Sequence, residues 1–247
     1  MSTQTGLQLA QHVHELSADN LSASTREIAA CCVLDLLCAA AAGYSHTGTR
    51  AARAAAPGVF GHGSADIWFS GMTASPSAAL LANSVAASAH DLDDGYRRAR
   101  GHPGAAVISA AWSMLSYVAH KVDADNFLTA IVAGYEAGIR FALGRLAYSP
   151  SGAWSPYAVI AAAGKLSRTS PEAMAQAFGI AAQTAPAIPG LAGILGGDVK
   201  EGIGWGSVTG LASLQLARAG FTGPTHIFDA AHLFNAPAML EGSAAPR

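Results

Sequence analysis

The densest group of chemically active side chains in this sequence lies between residues 90 and 102. Charged residues make up only 12% of the chain, yet three aspartates, three arginines and two histidines fall within these thirteen residues. Aspartate beside histidine can act as general base and proton carrier, and arginine binds carboxylates. The alternative is a solvated turn in which aspartates and arginines pair locally. That alternative does not explain why His102-Pro103-Gly104 leads directly into an alanine-rich segment.

A second candidate residue lies about a hundred residues away. Lys200 follows a glycine-rich stretch and precedes a predicted helix, where free backbone N–H groups already favour anions. The alternative interpretation is that Lys200 is an ordinary surface lysine. For His102 the alternative is a histidine at a helix start that is hydrogen-bonded to the backbone. Local sequence leaves both alternatives open.

Charge and motifs exclude several function classes. The formal net charge is -2, from 14 basic and 16 acidic residues. This balance does not give the excess of positive charge that is typical of proteins that bind nucleic acid. No glycine-rich loop follows a strand, so a dinucleotide fold and a P-loop are both unsupported. The H-E-x-x-H metal motif and the G-x-S-x-G nucleophile elbow are missing as well. Acid–base chemistry on a small molecule remains.

The cysteines predict neither a metal site nor a disulfide. Cys31, Cys32 and Cys38 lie on one predicted helix without a C-x-x-C spacing, so we expect small buried hydrophobic side chains in a reducing compartment. No metal and no cofactor are predicted. The N-terminus has no basic and apolar signal regions, and the longest uncharged run, 173–197, contains prolines and glutamines. We therefore expect a cytoplasmic protein without a membrane span.

Helix signals dominate the rest of the chain. Serine followed by proline predicts helix starts at Ser75 and Ser170, and Asp123 or Asp125 can cap another helix. One short strand or hairpin arm is expected around Trp68. The helix over 24–43 is apolar on most sides, which predicts a central position. The predicted helices are 7–16, 24–43, 49–56, 75–89, 103–118, 127–143, 154–166, 170–183 and 198–219.

These elements predict an all-α fold, a compact bundle of largely antiparallel helices. Frequent alanine and glycine let helices approach closely. We expect one helical domain over residues 1–235 and a flexible tail over residues 236–247.

The chemical motifs also resemble a known family. Asp91-Leu92-Asp93-Asp94 is followed eight residues later by His102-Pro103-Gly104-Ala105, and this pattern is similar to the MmgE/PrpD family. That family includes 2-methylcitrate dehydratase, cis-aconitate decarboxylase and iminodisuccinate epimerase. Asn83 fits the pattern, and so do four further blocks, in order, at residues 161–166, 177–181, 200–203 and 219–224.

The resemblance implies an all-helical domain that dimerises and carries most of an active site for small di- or tricarboxylates, without metal. Asp91, His102 and Lys200 match the family's catalytic positions. A base from the Asp91/His102 pair would remove a proton next to a substrate carboxylate, and Lys200 with an arginine would hold the carboxylates and the developing charge. The expected substrate-binding residues are Asp94, Tyr96, Arg97, Arg100, Ser149 and Ser151.

The chain also departs from the family pattern. Ser88 and Ser149 occupy positions where relatives usually have histidine, His90 lies at a normally apolar position, and Tyr96 replaces a common polar residue. Relatives continue into an α/β domain that closes over the substrate, so we expect this chain, which ends at Arg247, to lack that lid.

The resemblance therefore implies a metal-independent lyase, a dehydratase or decarboxylase, that works as a homodimer. Two alternatives remain. One is an isomerase or epimerase of the same family. The other is a non-catalytic helical dimer or partner subunit that needs a separate chain to supply the lid. No nucleic-acid partner is expected.

Overall fold

The computed structural model describes residues 4–187 and 196–241, and this part of the chain is mostly helical. The prediction of an all-α fold is confirmed. The helices are α1 (Thr5–Glu15), α2 (Ala23–Gly43), α3 (Thr47–Phe60), α4 (Pro76–Ser88), α5 (Gly104–Met114), α6 (Ala124–Gly144), α7 (Ser155–Leu166), α8 (Pro171–Thr184), α9 (Ile203–Arg218) and α10 (Ala236–Glu241).

Helix starts follow the capping chemistry that the sequence indicates. Ser75 and Ser170 accept hydrogen bonds from the backbone N–H three residues later, each with proline at the first helical position. Asp123 caps α6 in the same way through the N–H of Asn126. Helix α2 begins at Ala23, one residue earlier than predicted, because Ser22 is its cap.

The core is built around α7, in which every residue except Lys165 is buried. Helices α5, α6, α8 and α9 pack against it. Two glycines of α6 let this helix pack closely against α5 and α7. A Cβ at Gly134 would lie 2.7 Å from Val107 of α5, and one at Gly138 would lie 2.7 Å from Ala158 of α7. Small residues therefore act here as the contact surface between helices.

The predicted strand is one arm of a hairpin. Strands β1 (Ala65–Ile67) and β2 (Met72–Ala74) pair antiparallel, with Ala65 opposite Ala74. Asn83 of α4 fixes this hairpin to the bundle. Its amide donates to the carbonyl of Asp66 at 3.0 Å and accepts from the N–H of Trp68 at 3.0 Å.

Two predictions about α2 are wrong. The helix is not central, since Ile28 and Leu34 are 63% and 65% exposed. Cys31 and Cys38 are exposed rather than buried, and Cys32 is half-buried. An apolar sequence sets the polarity of a helix but not the number of neighbours that cover it.

Helices α3 and α5 end several residues away from their predicted ends. Helix α3 continues through Pro57 to Phe60, although Pro57-Gly58 was expected to end it. Helix α5 ends at Met114, four residues early, and is followed by a series of turns.

The C-terminal prediction needs a correction as well. Residues 236–241 form α10 and not the start of a flexible tail. Met239 is fully buried, because Gly144 of α6 leaves room for its side chain. Arg140 donates to the carbonyls of Met239 and Leu240 at 3.1 and 2.7 Å, which ties the short helix to α6. The remaining tail residues, 242–247, lie outside the described residues.

Within the described residues, α6 has the length and apolar character of a membrane span, and the sharply bent pair α2–α3 passes the same test only if taken as one element. Half of the apolar window of α6 is buried inside the protein. A half-buried apolar helix is typical of a packed core.

Candidate active site

The loop between α4 and α5 and the segment before α9 meet at one surface. There His102 Nε2 lies 3.1 Å from Asp91 Oδ1, and Lys200 forms an ion pair with the same carboxylate oxygen. The three residues assigned as catalytic from the family resemblance therefore form one contact group, which we call the Asp–His–Lys cluster (Asp91, His102 and Lys200).

The backbone of the loop presents Asp91 to solvent. Asp91 adopts a left-handed conformation with φ 58°, a region that aspartate tolerates better than most residues, and its side chain is 61% exposed. Further along, the N–H of Tyr96 donates to the carbonyl of Gly101 at 2.9 Å and closes the loop. The hydrogen bond from Lys200 is the main reason why the pKa of Asp91 is lowered, and the charges of Lys200 and His102 add to it. Asp91 is therefore an anion at neutral pH.

His102 is held from two sides. Its Nδ1 lies 2.9 Å from the backbone carbonyl of Asp94, and because a carbonyl only accepts, Nδ1 is a donor there. Its backbone N–H donates to Ser151 Oγ at 2.9 Å. The ring is thereby fixed with Nε2 directed at Asp91. This is the geometry of a positioned proton carrier.

Ser151 joins the two halves of the site, and it is fully buried. Besides accepting from His102, its hydroxyl donates to Glu201 Oε2 at 2.6 Å and its backbone N–H donates to the same oxygen at 3.0 Å. Glu201 is the residue next to Lys200. Its bonds to Ser151 therefore tie the Lys200 segment to the residue that binds the backbone of His102. Ser151 is placed to position the cluster and has no exposed surface for a substrate.

Sequence reasoning did not assign a role to Glu201. The only signal for it was its position in the Lys200-Glu201-Gly202-Ile203 block of the family pattern. Glu201 and Gly202 both have left-handed backbones, with φ 46° and 70°, so α9 begins at Ile203 and not at Asp198 as predicted. This turn keeps Lys200 outside the helix and beside Asp91.

Replacing Ser151 by alanine should reduce the free energy of unfolding by about 1–3 kcal/mol, because the half-buried Glu201 carboxylate and the His102 N–H each lose a partner. Urea unfolding of the Ser151→Ala variant measures this loss. Ser149→Ala is the matched control, since no side-chain hydrogen bond of Ser149 is found within the described residues. Equal stability of the two variants would contradict the positioning role of Ser151.

Asp94 binds the backbone at the start of α5. Its Oδ1 accepts from the N–H of Gly104 at 2.8 Å, and a Cβ at residue 104 would lie only 2.5 Å from that oxygen, so glycine is required. Burial raises the pKa of Asp94, while the nearby Tyr135 hydroxyl and the Gly104 N–H oppose that rise. The carboxylate is turned into the protein and is engaged by the helix start.

Asp93 is the unexpected member of the site. Its side chain is completely buried, and neither carboxylate oxygen has a hydrogen-bond partner within the described residues. Oδ1 lies 3.7 Å from Nδ1 of His102. Burial raises the pKa of Asp93 to about 6, and the charge of His102 opposes this rise. Asp93 can therefore exchange a proton near neutral pH directly behind the histidine.

Asp93→Asn should stabilise the protein at neutral pH. Because the folded-state pKa of about 6 exceeds the ordinary value of 3.8, the ionised carboxylate destabilises the wild type above pH 6 and has no such effect below pH 4. The advantage of the variant should grow between these limits and level off at about 3 kcal/mol. Chemical unfolding from pH 4 to pH 8 measures it. Asp123→Asn, at an exposed helix cap where the aspartate pKa is lowered, should show no such gain; a flat difference for Asp93→Asn would refute the buried-charge interpretation.

The other predicted binding residues border the cluster without bonding to it. Arg97 and Arg100 are exposed, and neither forms an ion pair with a residue that the structure describes. The Arg100 guanidinium lies 5.3 Å from the centre of the Tyr148 ring. Tyr96 and Ser149 are half-buried.

The second loop histidine belongs to a different contact. The His90 ring packs edge-on against His46, with ring centroids 5.3 Å apart. His46 Nδ1 in turn lies 4.0 Å from Asp198 Oδ1. Ser88, at the position where relatives usually have histidine, is buried and donates to the carbonyl of Ser84. His90 is therefore beside the cluster and not part of it.

Two residues of the cluster form a metal-ligand set together with Asp93, because one ligand atom each from Asp91, Asp93 and His102 lie within 4.8 Å of one another. Lys200 already neutralises Asp91, and the Nδ1 of His102 is engaged with the Asp94 carbonyl. These contacts favour proton transfer as the use of the cluster.

Comparison with known proteins identifies the family of this chain. The family model described as the MmgE/PrpD N-terminal domain matches residues 7–245, a range that includes every residue of the cluster and the helices that position it. No curated protein matches the chain.

Proposed function

This chain belongs to the MmgE/PrpD family, and we propose that it is a metal-independent lyase, a dehydratase or decarboxylase, that acts on a small polycarboxylate. The observation that carries the proposal is the contact of one aspartate, one histidine and one lysine at a single oxygen atom, Asp91 Oδ1. Acid–base elimination next to a carboxylate needs these three kinds of group.

The proposed reaction gives each group its own role. In a dehydration, Nε2 of His102 removes the proton next to a substrate carboxylate, and its ring stays oriented because Nδ1 is bonded to the Asp94 carbonyl. Asp91 stabilises the imidazolium that forms, and Lys200 exchanges part of its contact with Asp91 for the substrate carboxylate, where negative charge builds up. The electron pair of the broken C–H bond forms the double bond and expels the β-hydroxyl, which leaves as water with a proton from the His102 imidazolium. In a decarboxylation no proton is removed first: the carboxylate leaves as carbon dioxide, and the His102 imidazolium donates a proton to the carbon that carried it.

Epimerisation, the alternative within the family, is less well supported. A two-base epimerase needs proton carriers on opposite faces of the substrate carbon. Asp91 and His102 are 3.1 Å apart and so face a substrate from the same side. This arrangement favours elimination.

Water must be excluded by something besides the cluster, because the Asp91 side chain is 61% exposed. Our proposal includes a homodimer, supported by the exposed apolar residues Ile28 and Leu34 on α2. It also includes a cytoplasmic location. A non-catalytic partner subunit is the competing hypothesis.

The test is turnover of citrate, 2-methylcitrate, cis-aconitate and iminodisuccinate by the purified protein, with products identified by mass spectrometry. We expect formation of an unsaturated acid or release of carbon dioxide, unchanged after treatment with a chelator. Turnover that survives both His102→Ala and Asp91→Ala would disprove the mechanism. If no polycarboxylate is converted, the non-catalytic hypothesis is favoured.

A further inference from the structure

A long apolar groove begins at the candidate active site and leads away from it. It has a volume of about 290 Å³, at the lower end of the range for small-molecule pockets. Lys200 lines the groove and also contacts Asp91, so the groove and the Asp–His–Lys cluster share a residue. The apolar part of the lining comes from α3, α4 and α9 and includes Ala52, Ala55, Val59, Phe60, Val85 and Trp205.

The two ends of the groove differ in polarity. At one end Gly48 lies so close to Asp198 that an added Cβ would be 2.6 Å from the Asp198 side chain, and Lys200 is two residues further along. Asp198 itself faces His46, whose Nδ1 is 4.0 Å away. At the other end the rings of Phe60 and Trp205 meet edge to face, with centroids 5.9 Å apart.

The groove is elongated. Its lining on α3 extends from Gly48 to Phe60, which is about 18 Å of helix at about 1.5 Å per residue. Ala52 and Ala55 between these ends are small, and they leave the space that larger side chains would fill. A cation at one end, an apolar wall about 18 Å long and an aromatic end together match an unbranched chain with an acidic head.

The exposed apolar side chains favour an occupant. Val59 and Trp205 are 62% and 53% exposed, and covering them with an apolar group removes that surface from water. A protein surface could also cover them. We favour a small molecule over a protein surface, because the Lys200 side chain that lines the groove also pairs with the Asp91 carboxylate of the cluster. A molecule whose head group binds at the cluster has its remaining atoms directed into the groove.

We infer that the substrate is a polycarboxylic acid with an unbranched alkyl chain, with the carboxylates at Lys200 and the chain in the groove toward Phe60 and Trp205. This inference rests on the proposed function and names the substrate class of the same site.

The test is isothermal titration calorimetry of the full chain with 2-alkylsuccinates, from methyl to hexyl. We expect the dissociation constant to fall by about twofold to fourfold for each added methylene. Ala55→Leu, which fills the groove, should remove this dependence on chain length, so that 2-hexylsuccinate binds no more tightly than 2-methylsuccinate. Ala54→Leu is the matched control: Ala54 is an exposed neighbour on α3 that does not line the groove, and the dependence should persist.

The outcomes separate this inference from the proposed function. Binding that does not vary with chain length, or that varies equally in Ala55→Leu, overturns the inference and leaves polycarboxylate turnover to be judged on its own. A change of oligomeric state in Ala55→Leu but not in Ala54→Leu, measured by sedimentation, also overturns it, because the groove is then a protein interface. If no alkylsuccinate binds and no polycarboxylate is converted, both the inference and the proposed function fail.

Discussion

His102→Gln should lower kcat/KM for the polycarboxylate reaction by about 10²–10⁴-fold, the range for removal of a general acid–base group. Glutamine has a similar reach and can still donate a hydrogen bond toward the Asp94 carbonyl, but its amide does not exchange a proton at neutral pH. The backbone N–H of residue 102 keeps its bond to Ser151. We therefore expect loss of chemistry with little loss of stability.

His90→Gln is the matched control, because His90 lies in the same loop but packs against His46 and does not contact the cluster. Initial rates and thermal unfolding of both variants give the comparison. The assignment of His102 would be wrong if the two variants lost activity equally. It would also be wrong if loss in His102→Gln merely followed the fraction of unfolded protein.

The parts of the fold that depend on local chemistry were predictable. Ser75-Pro76 and Ser170-Pro171 begin helices because a hydroxyl cap and a fixed proline φ act within one turn of the chain. The start of α9 was missed for the opposite reason. Its position depends on the left-handed Glu201, whose carboxylate is bound by Ser151, fifty residues away in sequence.

The exposure of α2 was not predictable, because composition does not show how many neighbouring elements cover a helix. The residues of α2 are apolar nearly all round, which in a sequence is typical of a central helix. In the structure α4, α5 and α6 cover only one side, and Ile28 and Leu34 remain exposed. The same uncovered surface is what supports a dimer in our proposal.

At the site, the sequence motifs identify residues but not their roles. Asp91, His102 and Lys200 could be named from the family pattern, and the structure brings them into contact. Ser151 and Asp94 were expected to bind substrate, yet both are engaged with the backbone that positions His102 and α5. Whether such a side chain faces solvent or the protein depends on loop geometry, which residue type and spacing do not determine.

Lys200→Met should reduce kcat/KM by about 10²–10³-fold, comparable to the loss of one group that stabilises the transition-state charge. It should also raise the pKa of Asp91, because the hydrogen bond from Lys200 is the largest cause of its depression. The direction follows from charge: an ammonium beside the carboxylate favours the ionised form, and methionine removes that preference. Titration of the Asp91 carboxyl carbon by NMR measures the shift directly.

The stability of the variant should change with pH in the same sense. Since Asp91 has a lowered pKa in the folded wild type, its pairing stabilises the protein above the ordinary aspartate pKa and loses this effect as the pH falls. The decrease in the free energy of unfolding that Asp91 causes at acid pH should therefore be smaller in Lys200→Met. Lys165→Met is the control, because Lys165 donates to the backbone carbonyl of His14 and leaves Asp91 untouched. An Asp91 pKa that is equal in wild type and Lys200→Met would contradict the ion pair. It would also contradict the proposed role of Lys200, which is to pair with Asp91 in the free protein and with the substrate carboxylate during the reaction.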